Sequence, residues 1–91
     1  MTWESLPGYE LIQSGIEDLS RGVQSIPALL VSIGASRLRR LGMPIPASTI
    51  ASPERRLYEL LQQADPDMAH SRYNALVRRL VSFERTAECG N

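Results

Sequence analysis

The sequence predicts an all-α domain of four helices in an orthogonal or bundle-like arrangement, with a proline-rich crossover between helices two and three. Two observations lead to this class: apolar residues recur at steps of three and four, and proline and glycine punctuate the chain between these stretches. A chain of 91 residues is long enough to bury one core, so residues 1–91 are interpreted as a single all-helical domain.

The first predicted helix begins at Tyr9 and ends at Arg21, before a left-handed stop at Gly22. Gly15 lies inside it, at a cost of ~1 kcal/mol relative to alanine, so we expect a neighbouring segment to approach the helix closely there. The apolar stripe that predicts this helix consists of Tyr9, Ile12, Ile16 and Leu19.

The second predicted helix begins after the N-cap Ser25, has Pro27 in its first turn and ends at Leu41, before Gly42. As a helix, the stretch 28–35 carries apolar side chains on almost every side. This helix is therefore predicted to be the most buried element and the centre of the domain. Residues 29–33 are also short enough to be a buried strand, but the chain offers no second strand for pairing, and we favour the helix.

A connector with Pro44 and Pro46 follows, because each proline favours an extended backbone in the residue before it. Ile45 and Ile50 are expected to hold this connector, residues 42–52, against the helices.

The third and fourth predicted helices share one start signal. Ser52-Pro53-Glu54 combines an N-cap, a first-turn proline and an acid at the start of helix three, which ends near Gln63. Asp65-Pro66-Asp67 repeats this pattern at the start of helix four, the longest helix. The stripe of the fourth helix alternates steps of four and three: Ala69, Tyr73, Leu76, Leu80, Phe83 and Ala87. Six side chains at the centres of the stripes are predicted to be largely buried: Leu30, Ile33, Leu61, Tyr73, Leu76 and Leu80.

All ten basic side chains are arginine, and ten acids balance them to a formal net charge of zero. Without lysine the chain has no Schiff-base amine and no phosphate-loop lysine. A neutral chain also has no global field to attract an anionic membrane, so no membrane association is expected, and nucleic-acid binding would need a local basic patch. A GC-rich genome, of the kind found in bacteria, is the simplest explanation for the absence of lysine.

Cysteine and histidine occur once each, as Cys89 and His70. One residue of each type cannot build a zinc site, and the sequence has no cofactor-binding motif, so neither a metal nor a cofactor is predicted. A single cysteine fits a reducing compartment, and no basic stretch precedes an apolar run, so the expected location is cytoplasmic.

The sequence carries no enzyme signature. His70 has Asp67 and Asn74 within about one helical turn, as a general base oriented by an acid would, but no nucleophile can be placed beside it. Gly34-Ala35-Ser36 lacks the second glycine of a nucleophile elbow. The chain is predicted not to be an enzyme, and the least favoured function is a small hydrolase or nuclease built on His70, Asp67, Arg72 and Tyr73.

Two arginine clusters make a nucleic-acid-binding regulator the alternative function: Arg37, Arg39 and Arg40 in the first, and Arg78 and Arg79 in the second. Residues 17–38 have the outline of a helix-turn-helix. However, Asp18 stands where the crossing of the helices favours a small side chain, and the arginines follow at the far end of the second helix. The simpler expectation is that these arginines pair with acids of the first helix, namely Glu10, Glu17 and Asp18.

The favoured function is a small non-enzymatic interaction or regulatory module that binds a protein, or a second copy of itself, through a helical surface. Several apolar side chains fall outside the stripes, and some of them are candidates for an exposed patch: Trp3, Met43, Ile45, Tyr58 and Met68. For any single one of them, the favoured alternative is that it caps an end of the core. A homodimer through two antiparallel copies of helix four is also predicted, because its apolar surface continues over Val77 and Val81 between Arg72 and Arg79 on one side and Glu84 and Glu88 on the other. The alternative is that helix two covers the same valines. The candidate binding residues are Trp3, Arg37, Arg39, Arg40, His70, Arg78, Arg79 and Val81.

Overall fold

The computed structural model describes residues 3–47 and 50–89. These residues form helices and no strand, which confirms the predicted all-α class. A 3-10 turn at Trp3–Ser5 precedes five helices: α1 (Tyr9–Ser20), α2 (Ile26–Ile33), α3 (Ala35–Arg40), α4 (Pro53–Ala64) and α5 (Ala69–Cys89). Among these helices, none combines the length and the hydropathy needed to cross a membrane.

The prediction of one continuous second helix is wrong, because Gly34 divides it into α2 and α3. Gly34 has φ −93° and ψ 8°, which ends the α2 hydrogen-bond pattern. α5 passes so close that a Cβ atom on Gly34 would lie 2.9 Å from Leu80 Cδ1 and 3.0 Å from Glu84 Oε2. The break between α2 and α3 is therefore the point where α5 packs against the chain. The predicted orthogonal or bundle-like arrangement of the helices stays a prediction.

α2 lies at the centre of the packing and contacts α1, α4 and α5. Residues 28–31 of this helix have no exposed surface, which confirms that the segment is the most buried part of the chain. The largest fully buried side chains come from five helices: Ile12, Leu29, Leu30, Val31, Leu38, Leu57, Leu61 and Phe83.

Half of the six predicted core side chains are only partly buried. Leu30, Leu61 and Leu80 are buried as predicted. The other three, Ile33, Tyr73 and Leu76, pack against the core but keep part of their surface in solvent. Tyr73 lies at the margin where α4 meets α5 and stacks edge-on against Tyr58, with 5.7 Å between ring centroids.

Gly15 is buried at the contact between α1 and α2, the most extensive helix contact in the fold. A Cβ atom at this position would collide with the Pro27 carbonyl oxygen and with Val31 Cγ2. The expected close approach of a neighbouring segment is confirmed.

Ser25 is the N-cap of α2, as predicted. Its hydroxyl accepts a hydrogen bond from the Ala28 backbone N–H at 3.2 Å and donates one to the Asp18 carboxylate. The Ser25 bond, followed by one from Arg21, lowers the pKa of Asp18 below its ordinary value. Asp18, in the last turn of α1, therefore links this helix to the N-cap of α2, which explains a charged residue at this point in the chain.

Replacing Ser25 with alanine is expected to cost about 1 kcal/mol of unfolding free energy, because α2 loses its cap. The lowered pKa of Asp18 contributes stability above the ordinary carboxyl pKa, and this contribution disappears as the pH falls through the lowered value. Urea midpoints at pH 7 and pH 3 should thus differ less in Ser25→Ala than in the wild type. The exposed Ser36→Ala is the control, and an equal loss in both variants would contradict the capping role.

The starts of α4 and α5 differ from the predicted pattern. Ser52 precedes α4 as its N-cap, but its backbone is left-handed, with φ 50°, and its side chain makes no capping hydrogen bond. Asp65 does not begin the last helix: it ends α4 with an extended backbone, and its carbonyl accepts a bond from the Met68 N–H at 3.2 Å. Residues 66–68 form a turn, so α5 begins at Ala69.

Candidate interaction surface

α5 exposes four arginines, which we call the α5 basic face: Arg72, Arg78, Arg79 and Arg85. Arg78 and Arg85 are seven residues apart, so they lie on one side of the helix with Ser82 between them. Among residues 3–47 and 50–89, Arg79 alone of the four forms an ion pair. The outer side of α5 therefore carries positive charge, although the whole chain is neutral.

The two acids of α5, Glu84 and Glu88, are both held by Arg37 of α3. The Arg37 guanidinium binds Glu88 in a bidentate manner, with Nε–Oε1 at 2.8 Å and Nη2–Oε2 at 2.9 Å. Its Nη1 atom lies 3.7 Å from Glu84 Oε1. This α3–α5 clasp, consisting of Arg37, Glu84 and Glu88, engages both acids of α5, and Arg85 of the basic face also lies close enough to Glu88 to lower the pKa of that carboxyl.

The clasp shifts the pKa values of its members in different directions. Glu84 is 4% exposed, and burial raises its pKa against the opposing effect of Arg37. The hydrogen bond between Arg37 and Glu88 lowers the pKa of the Glu88 carboxyl. The same bond raises the pKa of the Arg37 guanidinium. Glu84 is thus a carboxylate that the fold makes harder to ionise, whereas Glu88 is a stabilised ion.

Replacing Glu84 with glutamine is expected to raise the denaturation midpoint at pH 7 and to leave it nearly unchanged at pH 3. The raised pKa means that ionisation of Glu84 lowers stability as the pH rises from the ordinary carboxyl pKa through the raised one. Glutamine removes that ionisation and keeps the shape. Glu88→Gln is the matched control and should lower the midpoint at pH 7, because it breaks the bidentate pair. A lower midpoint at pH 7 in Glu84→Gln would show that the charged form of Glu84 stabilises the fold.

The first arginine cluster contributes structural contacts, and the expected pairing with acids of α1 is wrong for Arg37 and Arg39. Arg39 donates hydrogen bonds to the carbonyl oxygens of Ile45 at 3.2 Å and Pro46 at 3.0 Å. These bonds hold the connector against α3. Arg40 is exposed, close enough to Glu88 to lower the pKa of that carboxyl.

The second arginine cluster lines a shallow cleft where the start of α1 meets the middle of α5. The cleft has a volume of about 410 Å³ and is lined by Pro7, Gly8, Glu10, Arg78, Arg79 and Ser82. Arg79 Nη2 lies 3.1 Å from Glu10 Oε1, so here the expected pairing with an acid of α1 is found. Arg78 and the Ser82 hydroxyl are one helical turn apart and can contact the same bound group.

The remaining candidate residues do not join this cleft in the contacts of the described chain. Trp3 is half-buried and packs near Gly42, whose added Cβ would lie 3.7 Å from Trp3 Cη2. His70 is exposed, and its Nε2 atom lies 3.2 Å from Asn74 Nδ2. Val81 is half-buried on α5, between Arg78 and Arg85 in sequence.

Two of the five candidates for an exposed apolar patch belong to the core instead, and the burial of Ile45 confirms that it holds the connector against the helices. Met43 is 5% exposed and Ile45 is 8% exposed, since the connector packs into the core. Tyr58 is half-buried against Tyr73, whereas Met68 is 48% exposed. The five side chains therefore do not all belong to one exposed surface.

In the described part of the chain, no three residues of His, Cys, Asp or Glu are grouped so that they could hold a metal ion. Comparisons with models of protein families, with curated proteins and with solved structures found no match to this chain. The function therefore has to follow from the geometry of the surface itself.

Proposed function

We propose that this chain is a small non-enzymatic interaction or regulatory module of the cytoplasm that binds a protein partner through the α5 basic face and the adjoining cleft. The observation that supports the proposal is the separation of charge on α5: four arginines are exposed, while both acids of the helix are held by Arg37. Arginine is enriched in protein interfaces, and its guanidinium binds carboxylates in a bidentate manner.

The chemistry of the cleft favours binding over catalysis. Arg78, Arg79 and Ser82 can bind an anionic group, but the lining contains neither a histidine nor a cysteine, and its single acid, Glu10, is paired with Arg79. A hydroxyl without an adjacent base is a weak nucleophile. His70, the only histidine, is exposed and is not part of the lining.

The partner that fits this surface presents carboxylates. Single exposed ion pairs contribute little, so recognition depends on several arginines engaging at once and on exclusion of water around them. Electrostatic complementarity of this kind mainly sets the rate of association and the choice of partner. Binding to the α5 basic face should therefore weaken as salt is added.

The test compares which proteins co-purify, from cells of the source organism, with the wild-type chain and with a variant whose α5 basic face is reversed in charge. Arg78→Glu combined with Arg85→Glu is expected to lower recovery of the specific partner at least tenfold. Arg55→Glu with Gln62→Glu and Gln63→Glu, on exposed positions of α4, changes the net charge by the same amount; it is the matched control and should leave recovery unchanged. Equal recovery with both double variants would contradict the proposed surface.

A nucleic-acid-binding regulator is the second candidate, because the same basic face could contact phosphates. With Arg37 and Arg39 engaged inside the chain, few arginines are left to neutralise phosphates. We expect affinity for duplex DNA at physiological salt to be no tighter than the non-specific range of ~10⁻⁴ M. Fluorescence anisotropy would establish this candidate instead if it showed submicromolar binding that falls steeply with salt and is abolished by Arg78→Glu with Arg85→Glu.

A further inference from the structure

The outer side of α1 carries a charge pattern that complements α5. Glu10 and Glu17 are exposed and seven residues apart, as are Arg78 and Arg85 on α5. Seven residues rise about 10.5 Å along a helix, so the two acids and the two arginines are separated by the same distance. The neutral chain thus has an acidic helix face and a basic helix face with matching spacing.

We propose that a second copy of this chain binds the α5 basic face, with Glu10 and Glu17 of one copy opposite Arg78 and Arg85 of the other. The matched spacing allows both ion pairs to form at once when the two helices lie side by side. This inference rests on the proposed function of the α5 basic face and names its partner.

In this dimer, Glu10 and Glu17 of α1 supply the acids that the sequence-based homodimer takes from Glu84 and Glu88 of α5. Glu84 is buried and both carboxylate oxygens of Glu88 are bound by Arg37, so these two acids are less available to a second copy than the acids of α1. Glu10 pairs with Arg79 through Oε1, and its side chain is still 75% exposed, which leaves Oε2 accessible to a second arginine. Acids of α1 are therefore the carboxylates available for this contact.

Exposed or partly exposed apolar side chains on α5 and after the end of α1 can add to the contact. Val81 is half-buried and lies within one turn of both Arg78 and Arg85. Val23 follows the end of α1 and is 46% exposed. Because exposed ion pairs are weak and screened by salt, self-association should rise with protein concentration and fall with ionic strength.

A charge exchange measured by sedimentation velocity at high protein concentration and low salt tests the inference. The wild type should associate, whereas Glu17→Arg and Arg85→Glu should each sediment as monomers, because each variant brings like charges together. An equimolar mixture of the two variants should associate again, since the new arginine at position 17 of one copy then meets the new glutamate at position 85 of the other. Glu17→Arg combined with Arg85→Glu in one chain should also associate. Circular dichroism confirms that each variant is folded, and Glu54→Arg on α4 is the control that leaves association unchanged.

A monomeric wild type, or a mixture that stays monomeric, would overturn the inference. The proposed function would then still stand if Arg78→Glu with Arg85→Glu lowers recovery of a different protein in the co-purification. If the charge reversal alters neither self-association nor recovery of a partner, both the inference and the proposed function are contradicted.

Discussion

Gly15→Ala is expected to lower the free energy of unfolding by about 2–3 kcal/mol, although alanine favours a helix more than glycine does. The added methyl group would collide with the Pro27 carbonyl oxygen and Val31 Cγ2. A backbone atom cannot move aside as the tip of a side chain can, so α1 and α2 must separate. Because these helices share the largest contact in the fold, the separation costs more than the ~1 kcal/mol that alanine gains in helix propensity.

The matched control for this prediction is Ser14→Ala, one residue earlier on the exposed side of α1. It should be neutral or slightly stabilising, because only helix propensity changes. Chemical denaturation of both variants separates packing from propensity. A Gly15→Ala protein at least as stable as Ser14→Ala would show that α1 and α2 do not approach as closely as described.

Phe83→Ala is expected to cost about 3–5 kcal/mol, a large share of the ~5–15 kcal/mol that holds a typical domain together. Phe83 is 1% exposed and lies next to Tyr9, with 6.5 Å between the ring centroids. It also lies beneath Gly8, so it joins α5 to the start of α1 behind the cleft. Truncation would therefore loosen the cleft as well as the core.

The neighbouring Ser82→Ala is the control for Phe83→Ala, since Ser82 is exposed on the same turn of α5. Its free energy of unfolding should stay within about 0.5 kcal/mol of the wild type. An unchanged midpoint in Phe83→Ala would mean that the apolar side of α5 faces solvent and that the orientation of this helix is wrong.

Local signals in the sequence predict those parts of the fold that depend on local interactions. The N-cap at Ser25, the apolar run at 28–31 and the close approach at Gly15 follow from capping chemistry, hydrophobic patterning and glycine in a helix. The break at Gly34 has a tertiary reason: α5 packs there, and a glycine inside a predicted helix indicates a close approach but not that the helix ends.

The sequence predicts which arginines belong to the candidate surface, but it does not predict which acids the arginines of the chain pair with. Arg78 and Arg79 are candidates from the sequence because they are adjacent basic residues, but the partners of the other arginines depend on which helices meet. Arg37 reaches Glu88 across 51 residues of sequence, which no local pattern indicates. Glu84 leaves one signal: it stands four residues after Leu80 and three before Ala87, within the apolar stripe.

Photo-crosslinking in cells of the source organism tests the central claim, which is that the outer side of α5 is the binding surface. A photoreactive amino acid at Ser82, between Arg78 and Arg85, should yield a discrete crosslinked product, and Arg78→Glu with Arg85→Glu should abolish it. The same probe at Gln62, exposed on α4, should yield none. A product from position 62 and none from position 82, or a product at position 82 that survives charge reversal, would contradict the account.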